Sequence, residues 1–166
     1  MEYKVYSYRP EDDALREKNL QTVIRYMELP GALMAERYKL FEESDECTTG
    51  LEYTATGKPM VAQGYEEVRK STLVNAKFFS VWEWYNIHTY PTGDPNKFYV
   101  ECDGKGISTI SGKPLAHGDH YLHKFILRDG KILHYSEFMN PCNELLELGY
   151  ELPNPQAGWA DEQEKV

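Results

Sequence analysis

Three cysteines in 166 residues, Cys47, Cys102 and Cys142, are too few and too widely spaced for a disulfide framework or a zinc ribbon, and with no CxxC pair they read as free thiols in a reducing compartment. No apolar run approaches the roughly 20 residues that span a bilayer. The opening segment MEYKVYSYRPEDD is too polar for a signal peptide, so the cytoplasm is the expected address. Positive charge is also scarce. Eighteen Lys and Arg against 27 Asp and Glu leave a formal net charge of −9, which argues against a nucleic-acid surface, because phosphate binding draws on clustered cations. Phosphate loops, GxSxG, HExxH and dinucleotide fingerprints are likewise absent from the chain.

What the chain has in quantity is aromatic surface: 13 Tyr, 6 Phe and 3 Trp. Such side chains suit cores, pockets and interfaces alike. Pro10 followed by Glu11, Asp12 and Asp13 predicts a helix start, and Leu20, Val23, Ile24 and Met27 give it one apolar stripe, ended by Pro30-Gly31. A second helix is expected over about 32–43 and a third over about 65–79, the latter with Val68, Thr72, Asn75 and Phe79 along one side. Residues 44–50 read as a loop and 54–59 as a turn-rich link. Strand content then takes over at 81–90, 97–103, 106–110, 117–127 and 131–140, before Pro141 opens a short helix and the chain ends in a weakly ordered tail from about 153. Helices followed by meandering strands predict one α+β domain, with helices segregated onto one face of a strongly curved antiparallel sheet.

The tip Arg128-Asp129-Gly130-Lys131 admits a two-residue or a three-residue hairpin loop. The three-residue register sets Phe125 opposite Leu133, His123 opposite Tyr135 and Tyr121 opposite Glu137, gathering the aromatic residues on one face and leaving Lys124 on the other. The two-residue register would set Lys124 opposite Tyr135 and Leu122 opposite Glu137. The first is preferred because it segregates polarity, and it places a lone carboxylate, Glu137, on an aromatic surface. Desolvation there would raise its pKa toward the range a general acid or proton shuttle needs. The alternative is a structural carboxylate paired with a tyrosine or with Arg37. His117, His120 and His123 resemble a metal motif only until strand geometry is considered: His120 faces away from the other two, and six residues at about 3.3 Å each separate His117 from His123 by roughly 20 Å. No metal is expected; His117 and His123 each stay pocket candidates with an ordinary hydrogen-bonded histidine as the alternative, which is preferred for His123. Ser71 and Asn75, spaced i, i+4, either line a cavity or cap local backbone.

The strings WEWYNI at Trp82–Ile87, FYVECDG at Phe98–Gly104 and EFMNP at Glu137–Pro141, with the DPN turn, HYLHKF and DGKI between them, resemble the phenazine-biosynthesis A/B proteins over about Gln21 to Leu152. That resemblance implies a cone of curved sheet closed by helices, similar to ketosteroid isomerase and nuclear transport factor, and a homodimer formed through the open sheet face. It implies assistance in condensing two aminocyclohexenone carboxylate molecules, without metal or organic cofactor. Glu137 falls at the family's proton-handling glutamate and Arg37 at its carboxylate-binding arginine. The family's pocket histidine falls at Ser71, its serine one turn later at Asn75, a pocket tyrosine at His117, and the arginine before EFMN at Ser136. The candidate site is therefore Glu137 as acid/base, with Arg37, Ser71, Asn75, His117 and Tyr121 around a cyclic amino-ketone acid. A non-catalytic binding protein and a pure dimerisation module are the competing readings.

Overall fold

The computed structural model describes residues 3–54, 56–107, 109, 114–147 and 150–151, with the side chains of 114–118, 144 and 147 left out. The tail expected from about 153 therefore lies outside the described residues.

Pro10 opens a 3-10 turn, Pro10–Asp12, that runs directly into helix α1, Asp13–Met27. The buried side of α1 is Asn19, Val23, Tyr26 and Met27, while Ile24 stays 36% exposed, so the stripe is rotated from the expected one. Asn19 accounts for the rotation. Its Nδ2 donates to Pro95 O at 2.9 Å and Asn96 Oδ1 at 3.0 Å, and its Oδ1 accepts from Gly130 N at 2.8 Å, clipping α1 to two hairpin tips at once. A buried amide with these partners is worth placing inward. The second expected helix is a 3-10 segment, Gly31–Leu40, and the third is α2, Tyr65–Phe78. On α2 the buried positions are Val68, Thr72 and Ala76, a strict i, i+4, i+8 row that leaves Asn75 exposed.

Six strands form one sheet: β1 Thr48–Leu51, β2 Met60–Gln63, β3 Val81–Pro91, β4 Lys97–Ile107, β5 Pro114–Arg128 and β6 Lys131–Phe138, with α3, Pro141–Glu147, after them. The order is β2-β1-β6-β5-β4-β3, antiparallel except for the parallel β1–β6 pair. Strand β1 overlaps the segment expected as a loop, and β2 falls between the expected link and the third helix, where no element was assigned. Four-residue segments such as Thr48–Leu51 carry too little pattern to announce a strand; partners supply it. Gly50 makes that pairing close, since a Cβ there would stand 2.0 Å from Met60 O. The expected strand at 106–110 is in part the end of β4.

The β5–β6 hairpin shows a register that neither expectation contained. Asp129 and Gly130 both have positive φ, 50° and 84°, as a two-residue primed turn requires, and Arg128 faces Lys131. A bulge then slips the ladder by one, so that Ile126 faces His134, Phe125 faces Tyr135 and His123 faces Glu137. Two successive odd offsets restore the parity of the three-residue register, so Tyr121, His123, Phe125, Tyr135 and Glu137 do share a face, each pairing shifted by two from the expected partner.

Helix α1 and α2 contribute Val23, Tyr26, Met27 and Val68 to one core with Phe41, Trp84, Phe98, Val100, Cys102, Phe125 and Tyr135. The sheet alternation of β4, with Phe98, Val100 and Cys102 buried, leaves Tyr99, Glu101 and Asp103 on the outer face. Trp82 and Trp84 point into the core side with Gly104 and Tyr121. Among the described residues no helix is long and apolar enough to cross a membrane.

Candidate acid-base site

Glu137 is the next-but-one residue after Tyr135 on β6, so the two project to the same side, and the Tyr135 hydroxyl folds along the strand to donate to Glu137 Oε2 at 2.8 Å. A fifth of the Glu137 side chain stays accessible, yet its carboxyl is packed deeply enough that burial lifts it above the usual carboxylate range. The Tyr135 hydrogen bond and then the Arg37 guanidinium pull it back, and Asp119 adds to the rise. A carboxyl raised above its ordinary value and held between opposing influences is suited to exchange a proton with a bound molecule.

His123 faces Glu137 across the strand pair, wholly buried, with Nδ1 2.7 Å from Tyr135 Oη and Nε2 3.3 Å from Cys102 Sγ. Burial first and Arg37 second push its imidazole down to about 3, so it is neutral, and its 3.7 Å approach to Glu137 is not an ion pair. Burial, helped by Glu137 and Asp103, pushes the Cys102 thiol up to about 12, which makes it inert.

Arg37 comes from the 3-10 segment and is 5% exposed. Its guanidinium lies 4.4 Å from the Tyr26 ring and 5.9 Å from the Trp84 ring, and its Nε and Nη2 have no hydrogen-bond acceptor among the described residues. Aromatic faces offset part of the cost of burying this cation, but two unpartnered buried donors on a permanent charge are expensive. They fit an anion brought by a ligand, and the fork of the guanidinium matches a carboxylate.

The structure thus brings Arg37 and Glu137 within electrostatic reach and sets Tyr121, 4% exposed, beside them: its ring is 5.0 Å from Trp84 and 5.9 Å from His123. Ser71 is half-buried on α2 and Asn75 lies on the exposed flank. His117 lies in β5, and its side chain is outside the described residues. Sequence reasoning did not single out Tyr135, Cys102 or Tyr26 as site residues, and treated His123 as incidental. The odd-numbered alternation on β5 and β6 was the signal, because it puts His123 and Tyr135 on the face of Glu137. An open depression of about 650 Å³ lies at the rim, lined by Pro30–Ala32, Ser80–Glu83 and Lys105–Ile107.

The family model of phenazine biosynthesis protein A/B matches residues 2–158. Phenazine biosynthesis protein PhzA1 of Pseudomonas aeruginosa is 41% identical over 150 residues, covering 89% of this chain and 91% of its own. PhzB1 of the same organism is 44% identical over 140 residues, covering 84% and 85%. The crystal structure of a phenazine biosynthesis-related protein of P. aeruginosa superposes with a TM-score of 0.79 at 39% identity, over 87% of this chain and 89% of that one. An NTF2-like protein from Anabaena variabilis, at 15% identity and a TM-score of 0.57 over 80% and 92%, shares the cone-shaped fold alone.

Proposed function

The chain belongs to the phenazine biosynthesis protein A/B family, and from that premise we propose that it acts in phenazine biosynthesis by assisting the condensation of two small cyclic amino-ketone acids. The observation that carries the reading is a carboxyl raised by burial, Glu137, on the same aromatic face as a buried guanidinium whose Nε and Nη2 lack an acceptor among the described residues. Arg37 holds a substrate carboxylate. The amine of one molecule adds to the ketone carbon of the other, forming a C–N bond. Glu137 relays the two protons that the nitrogen loses to the ketone oxygen, one on addition and one on dehydration, so that the oxygen leaves as water while the carbon–nitrogen double bond forms. The sequence is redox-neutral, so it calls for no electron-carrying cofactor. The outer sheet face, with Tyr85, Tyr90, Tyr99 and Phe138 and no helix over it among the described residues, is the proposed homodimer surface.

Glu137→Gln keeps shape and hydrogen bonding but cannot move a proton, so turnover should fall by roughly 10² to 10⁴ while ligand binding survives. Arg37→Ala should do the reverse, weakening binding of a carboxylate ligand by about 1.5–3 kcal/mol. Ser71, which offers no imidazole, favours a second reading, a binding protein without chemistry. Equal rates for wild type and Glu137→Gln, with both binding a cyclohexenone carboxylate, would establish that one.

A further inference from the structure

Cys102, His123, Tyr135 and Glu137 meet end to end in the core, and once Glu137 is ionised their chemistry sets the direction of the three hydrogen bonds that link them. An ionised carboxylate only accepts, so Tyr135 gives its one hydroxyl proton to Glu137 Oε2 at 2.8 Å. With that proton committed, the phenol oxygen can only accept from His123 Nδ1 at 2.7 Å, so Nδ1 carries the imidazole hydrogen. In a neutral imidazole Nε2 is then a bare lone pair, and the Cys102 thiol 3.3 Å away is its donor. The chain ends there. A buried thiol pushed up to about 12 does not release its proton, so these groups form no exit path for protons. They form a brace.

We propose that His123 and Tyr135 are positioning residues for Glu137, gripping its carboxylate through Oε2 so that Oε1 is the oxygen that exchanges a proton with substrate. The proposal rests on the acid/base reading of Glu137. The groups that face this carboxyl are Tyr135 from its own strand, His123 from the facing strand, Asp119 further along β5 and Arg37 from the 3-10 segment. Tyr26 of α1, its ring 4.8 Å from that of Tyr135, backs the phenol from the helix side. Burial and Asp119 favour the protonated acid, whereas Tyr135 and Arg37 favour the anion. Of the two that favour the anion, only Tyr135 is fixed by the protein alone, because Arg37 is shared with the ligand. The brace therefore keeps Glu137 able to lose a proton when the guanidinium is occupied.

Nitrogen-15 NMR of the His123 ring in the ligand-free protein at neutral pH reads the tautomer directly. A neutral ring protonated at Nδ1 is expected; protonation at Nε2 would overturn the proposal. Tyr135→Phe removes one hydrogen bond to the charged form, so Glu137 should become about tenfold weaker as an acid, read from its carboxyl infrared band against Glu137→Gln. The matching limb of the pH–rate profile should move with it. His123→Asn, which keeps an N–H donor near the Nδ1 position, should titrate close to wild type, whereas His123→Leu should shift Glu137 as Tyr135→Phe does. An unchanged Glu137 titration in Tyr135→Phe would also overturn the proposal, and if that variant fails to fold the wild-type tautomer still decides. The two readings fail separately. Loss of turnover in Glu137→Gln with an Nε2-protonated His123 removes the brace and keeps the catalyst; the expected tautomer and titration with undiminished turnover in Glu137→Gln do the opposite.

Discussion

His120 and His123 sit three residues apart on β5 and are driven in opposite directions. His120 is 62% exposed on the outer face, with Nδ1 2.9 Å from Asp103 and Nε2 3.0 Å from Glu101, and these carboxylates raise its pKa. His123, on the inner face, touches a phenol and a thiol and is pushed down to about 3. One step of strand alternation decides which environment each side chain meets. The outer face therefore holds charges that water and salt screen, and the inner face holds hydrogen-bonded groups, with the Glu137 carboxyl and the Arg37 guanidinium among them, whose interactions burial amplifies. A proton-transfer site belongs on the second kind of surface.

The largest effect expected from this contrast is acid sensitivity through His123. Its folded value of about 3 lies below the ordinary 6.5, so the folded state binds this proton less readily than the unfolded state. The stability it contributes is complete above pH 6.5 and is lost as pH falls toward 3, amounting to about 2 to 3 kcal/mol by pH 4.5. Glu137 works the other way, since its raised value means the folded state gains stability as pH falls through it. Urea unfolding at pH 7 and 4.5 should show a steeper loss for wild type than for His123→Asn, which has nothing to protonate. Identical slopes would mean that the imidazole is solvated, and the contrast between the faces would disappear.

A middle-sized effect is expected at Gly104. A Cβ there would lie 2.6 Å from Trp82, 2.8 Å from Trp84 and 2.9 Å from Tyr121, all ring carbons, so this glycine is the floor on which the aromatic wall of the site rests. Gly104→Ala should cost about 1–3 kcal/mol by overpacking and should alter tryptophan emission, because the rings have to move. An unchanged Tm and spectrum would show that the inner face is loosely packed there, and Arg37 would lose its stated support from Trp84.

That glycine was visible in the sequence only as part of ECDG, and the case is general for this molecule. Long, strongly patterned elements such as α1, α2 and β4 were legible because period and capping residues are local properties. Strands β1 and β2 were not, since their pairing is decided by β6 and by the close approach at Gly50. Glu137 could be singled out because a lone acid among aromatics is a one-dimensional signal. Alternation alone put His123 and Tyr135 on its face, but the direct pairing of His123 with Glu137 was not legible, because it depends on a bulge and no residue near Ile126 or Leu133 announces one. Arg37 was reachable through family motifs, but that its Nε and Nη2 lack acceptors is a property of packing in three dimensions.

The smallest effect belongs to His120, and its smallness is the sharpest statement about the outer face. Its raised folded pKa means that the folded state binds the proton more readily than the unfolded state, so its contribution is fully present below pH 6.5 and is lost as pH rises through the folded value. Exposed pairs of this kind are worth below about 1 kcal/mol once side-chain entropy and solvent are counted. Wild type should therefore exceed His120→Gln slightly at pH 5.5, match it at pH 8.5, and lose the advantage in 1 M salt, where the Debye length shrinks to about 3 Å. The measurement should be made over a range of protein concentrations. If a second copy covers this face, Asp103, Glu101 and His120 are desolvated together, and the difference should grow with concentration and resist salt. A difference above 2 kcal/mol in dilute protein would contradict a screened surface, and with it the division of labour between the two faces of the sheet.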